Sequence, residues 1–392
     1  MPHPARLPSI LWTNMNMPDI PLWLYPIAFL AVLGPLVFVH EYGHYIVGRW
    51  CGVKADTFSI GFGRKVLGWT DKRGTEWKIG WLPLGGYVQF AGDRDAVSQP
   101  DAEWQQLPAD QKSHTFPAQP VWKRSLIVLA GPVTNFLFAI AIFAAFNMTY
   151  GVATVPPVIG GVQAGSAAEA AGLRIGDRIT GINGQSVDSF GDIPKIVAYD
   201  LGRPASLDIA RGEQRLAITL RPRVTTETDG FGNKAEVAII GIQSGALTYA
   251  RVGPLEAVKA SAGQTWNIVQ LTGKILGQFA TGQRSVKEMG GPIKIAKQSG
   301  EQATLGVAAL IVFVAFISIN LGFINLLPLP MLDGGHLLFY AYEAIRRRPA
   351  PPQAQEWAFR FGFAAIVTLM LVVTFNDLGS IGVWDRIARL IG

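Results

Sequence analysis

Cysteine is nearly missing from this sequence. Cys51 is the only one in 392 residues, so no intramolecular disulfide can form in any compartment. Charge is thin as well: Asp, Glu, Lys and Arg make up 16% of the chain against 49% hydrophobic residues, which argues against a soluble globular protein and for a membrane protein. No basic stripe interleaved with aromatics is present. The net charge of +6 therefore points to membrane topology, and no nucleic-acid partner is expected. Histidine is scarce too, at five residues, so few side chains compete for any metal role.

What fills the space is apolar. Four runs reach or approach bilayer length: Ile20 to Val39, Ser125 to about Val152, Gln302 to about Leu327, and Trp357 to Asn376 with Arg360 snorkelling. Lys and Arg cluster between the first two spans and between the last two, with Arg346, Arg347 and Arg348 in the second group, so both loops are expected to be cytoplasmic. Both termini and the long segment between the second and third spans are then expected to lie outside.

The expected plan places a leader at 1–19, with Met15 or Met17 as alternative starts, and a first span with its polar end at 20–50. A cytoplasmic loop covers 51–122 and the second span 123–152. An outer α/β module follows at 156–224, then a periplasmic connector at 225–301 containing an amphipathic helix at 254–280. The third span and its polar end cover 302–345, the fourth span 357–377, and a periplasmic tail 378–392.

Two soluble-looking segments stand out. In Phe58 to Phe90, aromatic and β-branched residues alternate with Gly around a DKRG turn at Asp71 to Gly74, which predicts a β-hairpin or small sheet suited to the membrane interface. Asp93 to Pro120 reads as a polar linker, with His114 a solvated loop residue. The stretch GSAAEAAGLRIGDRITGINGQSV, Gly165 to Val187, resembles the permuted bacterial PDZ domain, which adds an extended peptide to a sheet edge beside a helix. The resemblance puts that edge near Val158 to Val162 and the helix near Ile193 to Tyr199. The chain thus reads as an α-helical polytopic membrane protein with four transmembrane helices, a membrane-associated β-hairpin or sheet, and one inserted PDZ-like α/β domain.

The chemistry concentrates at two polar clusters on apolar runs. HEYGH, His40 to His44, matches H-E-x-x-H: the i, i+4 spacing puts both imidazoles on one helix face, with Glu41 beside them as a general base. Ionisable groups at the edge of a bilayer-length run are costly unless they face a polar cavity or a metal. A catalytic zinc needs a third protein ligand. Asp333 is the best candidate, being the first charge after Glu301 and lying beyond Pro328 and Pro330, with Gly334-Gly335 allowing an unwound backbone. His336 competes for that role.

HEYGH, the LDGG of Leu332 to Gly335, the GPVTNF of Gly131 to Phe136, the FSIGFG and PLGGYV segments and the PDZ-like module together resemble the site-2 protease family of intramembrane zinc metalloproteases, in its single-PDZ bacterial form. The resemblance implies that His40, His44 and Asp333 hold Zn2+, that Glu41 is the general base, that Asn325 contacts substrate and that Asn135 supports the site. It also implies a β element at Phe58 to Phe90 that presents a strand to substrate. Expected partners are single-span membrane proteins such as an anti-sigma factor, a peptide or trimmed substrate end at the PDZ-like module, and membrane lipid. The expected place is the bacterial inner membrane, with the site near its cytoplasmic side. The main rival is a membrane-tethered PDZ scaffold without protease activity. A transporter is disfavoured because no inverted repeat is visible.

Overall fold

The computed structural model describes residues 21–93, 104, 108, 112–199, 203–228, 234–284 and 290–380. The expected leader, His3 and the end of the expected tail lie outside the described residues, as does most of the polar linker. The chain divides into two compact units, one built on residues up to Ala139 with 271–273 and 284 onward, the other on 140–270 and 274–283.

In the first unit, α1 runs Leu24–Trp50 and α2 runs Val121–Tyr150, its residues beyond Ala139 belonging to the second unit. These two are joined, as helices long and apolar enough to cross a membrane, by Val307–Asn325 and Pro352–Gly379, giving four among the described residues. The motif HEYGH continues α1 without a break, so the imidazoles are carried on the same rigid rod as the apolar run.

The third apolar run departs from expectation. It was expected to be continuous from Gln302, but Gln302 lies in the last turn of a separate helix, Pro292–Thr304, and the span starts only at Val307. Gly306, at φ 109, makes the break, a conformation closed to L residues. The first unit's remaining helices are therefore Pro292–Thr304, Val307–Asn325, Asp333–Arg346 and Pro352–Ser380. Asp377, 1% exposed on the last of these, accepts hydrogen bonds from the Gly291 and Lys294 amides at 3.0 and 3.1 Å and so caps Pro292–Thr304.

A second departure concerns Gly334 and Gly335. They are not unwound; both lie in the first turn of Asp333–Arg346. A Cβ on Gly335 would come 2.9 Å from Leu329 C and Pro330 Cα, and one on Gly334 2.5 Å from Leu326 C. Their role is close approach: without side chains the helix can sit on the turn before it.

The aromatic segment forms the expected hairpin, β1 at Ala55–Thr70 and β2 at Glu76–Phe90. Both strands bend, so Phe58 pairs with Trp77 on one side and Val88 on the other, making a small sheet rather than a flat ribbon. Asp71 holds the turn, accepting from the Arg73 and Thr75 amides at 2.8 and 3.0 Å and from Trp77 Nε1 at 3.1 Å. Burial pushes its carboxyl up, but these bonds outweigh that and hold it below the ordinary carboxylate value. Phe62, Val66, Leu67, Trp69 and Trp81 remain exposed.

The second unit contains β3 (Val152–Thr154), β4 (Ile159–Val162), α3 (Ala167–Ala170), β5 (Arg178–Ile182), β6 (Gln185–Ser186), α4 (Asp192–Tyr199), β7 (Ala205–Arg211) and β8 (Gln214–Leu220). β4 and α4 lie where a strand near Val158 to Val162 and a helix near Ile193 to Tyr199 were expected. Ser166 accepts from the Glu169 amide at 3.2 Å and Glu169 accepts from the Gly165 amide at 2.6 Å, a reciprocal cap that starts α3. Ile159, Ile179, Ile182, Val197, Leu207 and Ile209 fill the core.

The strands do not stop at residue 224: β9 (Arg223–Thr228), β10 (Lys234–Ile239), β11 (Ile242–Ser244) and β12 (Thr248–Ala250) follow. This corrects the expected docking edge. β11 pairs with β4 through Ile242 and Val162, while Ile159 bonds on its other side to Asp177 and Gly176, so β4 has little free edge. The helix α5 (Pro254–Ala280) then buries Ala257, Ser261 and Thr265 and leaves Leu255, Val258 and Trp266 exposed. With α5 counted, the helices after it are α6 (Pro292–Thr304), α7 (Val307–Asn325), α8 (Asp333–Arg346) and α9 (Pro352–Ser380).

Candidate metal centre

Three helices of the first unit meet at one cluster. On α1, His40 and His44 are 8% and 9% exposed, with ring centroids 4.8 Å apart and planes at 83°. Residues Ile127, Gly131 and Asn135 recur every fourth position on α2 and share a face. A carbonyl can only accept, so the 2.8 Å bond between His44 Nδ1 and Ile127 O puts the proton on Nδ1 and leaves Nε2 a bare lone pair. Gly131 makes room: a Cβ there would fall on His44 Nε2 and lie 2.9 Å from His40 Cε1.

Asn135, fully buried, sets its side-chain amide 3.1 Å from His40 Nδ1. Nδ2 faces the ring and Oδ1 is buried without a partner; turning the amide over gives Oδ1 the ring's Nδ1–H to accept and leaves His40 Nε2 a lone pair too, the state that metal binding requires. Ser318 on α7 donates to the Asn135 carbonyl at 2.8 Å and ties the third span to this face.

Asp333 enters from α8. The turn before it is tight: Met331 takes φ 79, rarely adopted by L residues, and Leu332 N–H donates to Leu329 O at 3.2 Å. This brings Asp333 Oδ2 to 3.2 Å from His40 Nε2 and Oδ1 to 3.6 Å from His44 Nε2, while the two Nε2 atoms are 3.2 Å apart. Ligand atoms about 2.0–2.1 Å from a tetrahedral zinc stand about 3.3 Å from each other, so the spacing fits. Asp333 Oδ2 is buried without a hydrogen-bond partner. Such an oxygen facing two imidazole lone pairs is costly unless a cation joins them. Two imidazoles and one carboxylate leave a fourth position open, the pattern of catalytic rather than structural zinc.

Residues 28–369 match Peptidase family M50. The chain belongs to that family. An M50 peptidase, also called a site-2 protease, is a zinc metalloprotease, and relatives carry the same description. A protein of Agrobacterium fabrum, provisionally named zinc metalloprotease Atu1380, is 43% identical over 91% of this chain and 96% of its own length. Metalloprotease MmpA of Caulobacter vibrioides is 36% identical over 93% and 98% respectively. Among solved structures, the PDZ domain of an SdrC-like protein from Listeria innocua covers 24% of this chain and 99% of its own at 23% identity, with a TM-score of 0.19, too low to bear on the fold.

In this M50 peptidase the cluster opens on a cavity of about 770 Å³ lined by Glu41, Val88, Asn325, Asp333 and His336 among others. Asn325 is the last residue of α7 and reaches that lining. His336, the competing ligand, is not grouped with His40, His44 and Asp333 among the described residues; its ring packs 5.1 Å from Phe359. His114 is exposed, as expected, and its Nδ1 lies 3.1 Å from the Gly52 carbonyl. One wall of the cavity is the β2 segment Gly85 to Phe90. A Cβ on Gly86 would come 3.0 Å from Glu41 Cγ and 2.8 Å from Val37 Cγ1, so the missing side chain lets β2 lie directly against the glutamate. Sequence reasoning missed the Ile127 carbonyl and Gly86. A backbone acceptor carries no side-chain signal, though Gly86 lies inside the quoted PLGGYV.

Proposed function

We propose that this peptidase hydrolyses peptide bonds within the transmembrane segment of single-span membrane proteins, with His40, His44 and Asp333 holding the zinc and Glu41 as general base. The observation that carries this reading is the convergence of three lone-pair donors, two on the bilayer-length helix α1 and one an unsatisfied buried carboxylate oxygen at the start of α8.

Zinc held there would supply Lewis acidity and lower the pKa of a water molecule far below its bulk value, toward about 7. Glu41 takes the proton from the attacking water and returns it to the leaving amine. His44 and His40 keep their Nε2 atoms turned inward through Ile127 O and Asn135. A substrate helix hides its carbonyls in its own hydrogen bonds, so it must unwind before attack. The β2 edge from Gly85 to Phe90 offers backbone groups to the unwound strand, replacing bonds that water cannot supply at that depth. Asn325, which also lines the cavity, contacts the substrate backbone.

The PDZ-like module and both termini lie on the periplasmic side of the bacterial inner membrane, and the site lies near the cytoplasmic side. The module takes a peptide or a trimmed substrate end beside α4. The exposed Leu255, Val258 and Trp266 of α5 contact lipid. Substrates include anti-sigma factors already trimmed outside. The test is to reconstitute the purified protein in liposomes with a single-span substrate and measure product masses. Cuts inside the apolar segment support the reading; cuts confined to the soluble flanks contradict it.

A further inference from the structure

Helix α2 carries more than the groups that touch the imidazoles. One turn before Ile127, Arg124 points to the helix that bears Asp333. Its Nη2 donates to Glu343 Oε1 at 2.7 Å, the two side chains being 16% and 17% exposed. Its Cζ stands 5.0 Å from the centre of the Tyr340 ring, and Tyr340 is 7% exposed. Arg124 Nε also donates to Gln119 O at 3.0 Å, which fixes the guanidinium from behind. A planar guanidinium held by a carboxylate, a carbonyl and an aromatic face is a directional contact that an ammonium would not reproduce.

On α8, Asp333, Tyr340 and Glu343 follow at i, i+7 and i+10 and so share a face, with about 15 Å of helix between the first and the last. At the Asp333 end the helix has no side-chain cap. Sliding α8 by one turn would move Asp333 by about 5.4 Å, more than the 4.8 Å within which the three ligand atoms gather. Its axial position along α2 therefore has to be fixed, and the ion pair does so where both helices carry the groups for it.

We propose that Arg124 and Glu343 form a register clamp: positioning residues that hold α8 against α2 so that Asp333 meets His40 and His44. The clamp rests on the reading of Asp333 as a zinc ligand. The test measures Zn2+ affinity by chelator competition and the visible absorption of the Co2+-substituted protein. It uses the detergent-solubilised full chain as wild type, R124Q, E343Q, the charge-exchanged R124E/E343R, and D333N as reference. Each single variant is expected to lose about tenfold or more in zinc affinity, with a cobalt spectrum displaced toward that of D333N, and the exchanged pair to recover part of both, since R124E forgoes the Gln119 carbonyl and the Tyr340 face. The clamp is overturned if either single variant keeps wild-type affinity and spectrum while D333N loses them. It is equally overturned if the exchanged pair recovers nothing, or if the loss only tracks unfolding of the metal-free protein. Wild-type affinity in D333N would instead remove the ligand assignment itself.

Discussion

Gly131→Ala is the smallest change that should dismantle the site. In an ordinary helix interior this substitution stabilises by about 1 kcal/mol, because alanine is the better helix former. At position 131 the new methyl would fall on His44 Nε2, 2.5 Å from His44 Cε1 and 2.9 Å from His40 Cε1. Overpacking of this kind costs about 1–3 kcal/mol, enough to cancel the gain. Relief is available only if both rings swing away from α2, which breaks the bond to Ile127 O and separates the ligand atoms. Gly34→Ala on α1 is the matched control, since nothing lies within 4 Å of a Cβ there. Zinc stoichiometry and competition titration, with thermal melts, should show wild-type zinc binding in the control and at least a tenfold loss of affinity in Gly131→Ala, equivalent to about 1.4 kcal/mol. Equal zinc affinity in the two variants would refute the packing argument.

Asn135→Leu keeps the volume but removes the amide beside His40 Nδ1, and zinc affinity measured by competition should fall about 10- to 100-fold. Val88→Pro deletes a backbone N–H on the β2 edge that walls the cavity and bonds the Glu41 carboxylate; cleavage of a reconstituted substrate should drop while zinc content holds, and joint loss of both would tell against this edge acting on catalysis rather than on the metal. In the α/β module of the second unit, hydrogen bonds from Arg211 at 2.8 Å hold the Asp177 carboxyl below its ordinary value. A depressed folded-state value means that this stability is present above the unfolded value near pH 3.9 and is lost as pH falls through the folded one. Arg211→Gln should therefore move the module's acid unfolding midpoint, followed by circular dichroism, to higher pH; an unchanged midpoint would show that the pair contributes nothing.

Much of the centre could be read from sequence because the membrane makes polarity conspicuous. His40, Glu41 and His44 stand at the end of an apolar run, and Asp333 is the first charge after Glu301, so each is visible against its background. The hairpin was visible for a different reason: alternating side chains on both sides of an Asp-led turn leave few other folds. What stayed hidden has physical causes too. Arg124 and Glu343 are separated by 219 positions, and nothing local to either announces the other. Gly306 is a single glycine in an apolar stretch, so the break between α6 and α7 leaves almost no trace in hydropathy. The edge of β4 was misplaced because β11, three residues long, covers it from beyond the expected end of the module.

The account stands most directly on Glu41. Wild type and Glu41→Gln, purified and reconstituted side by side with a single-span substrate, should bind zinc in the same stoichiometry, because Glu41 is not among the three proposed ligands. Only the wild type should cut the substrate, because the amide cannot take a proton from water. Equal cleavage by both proteins would contradict the account.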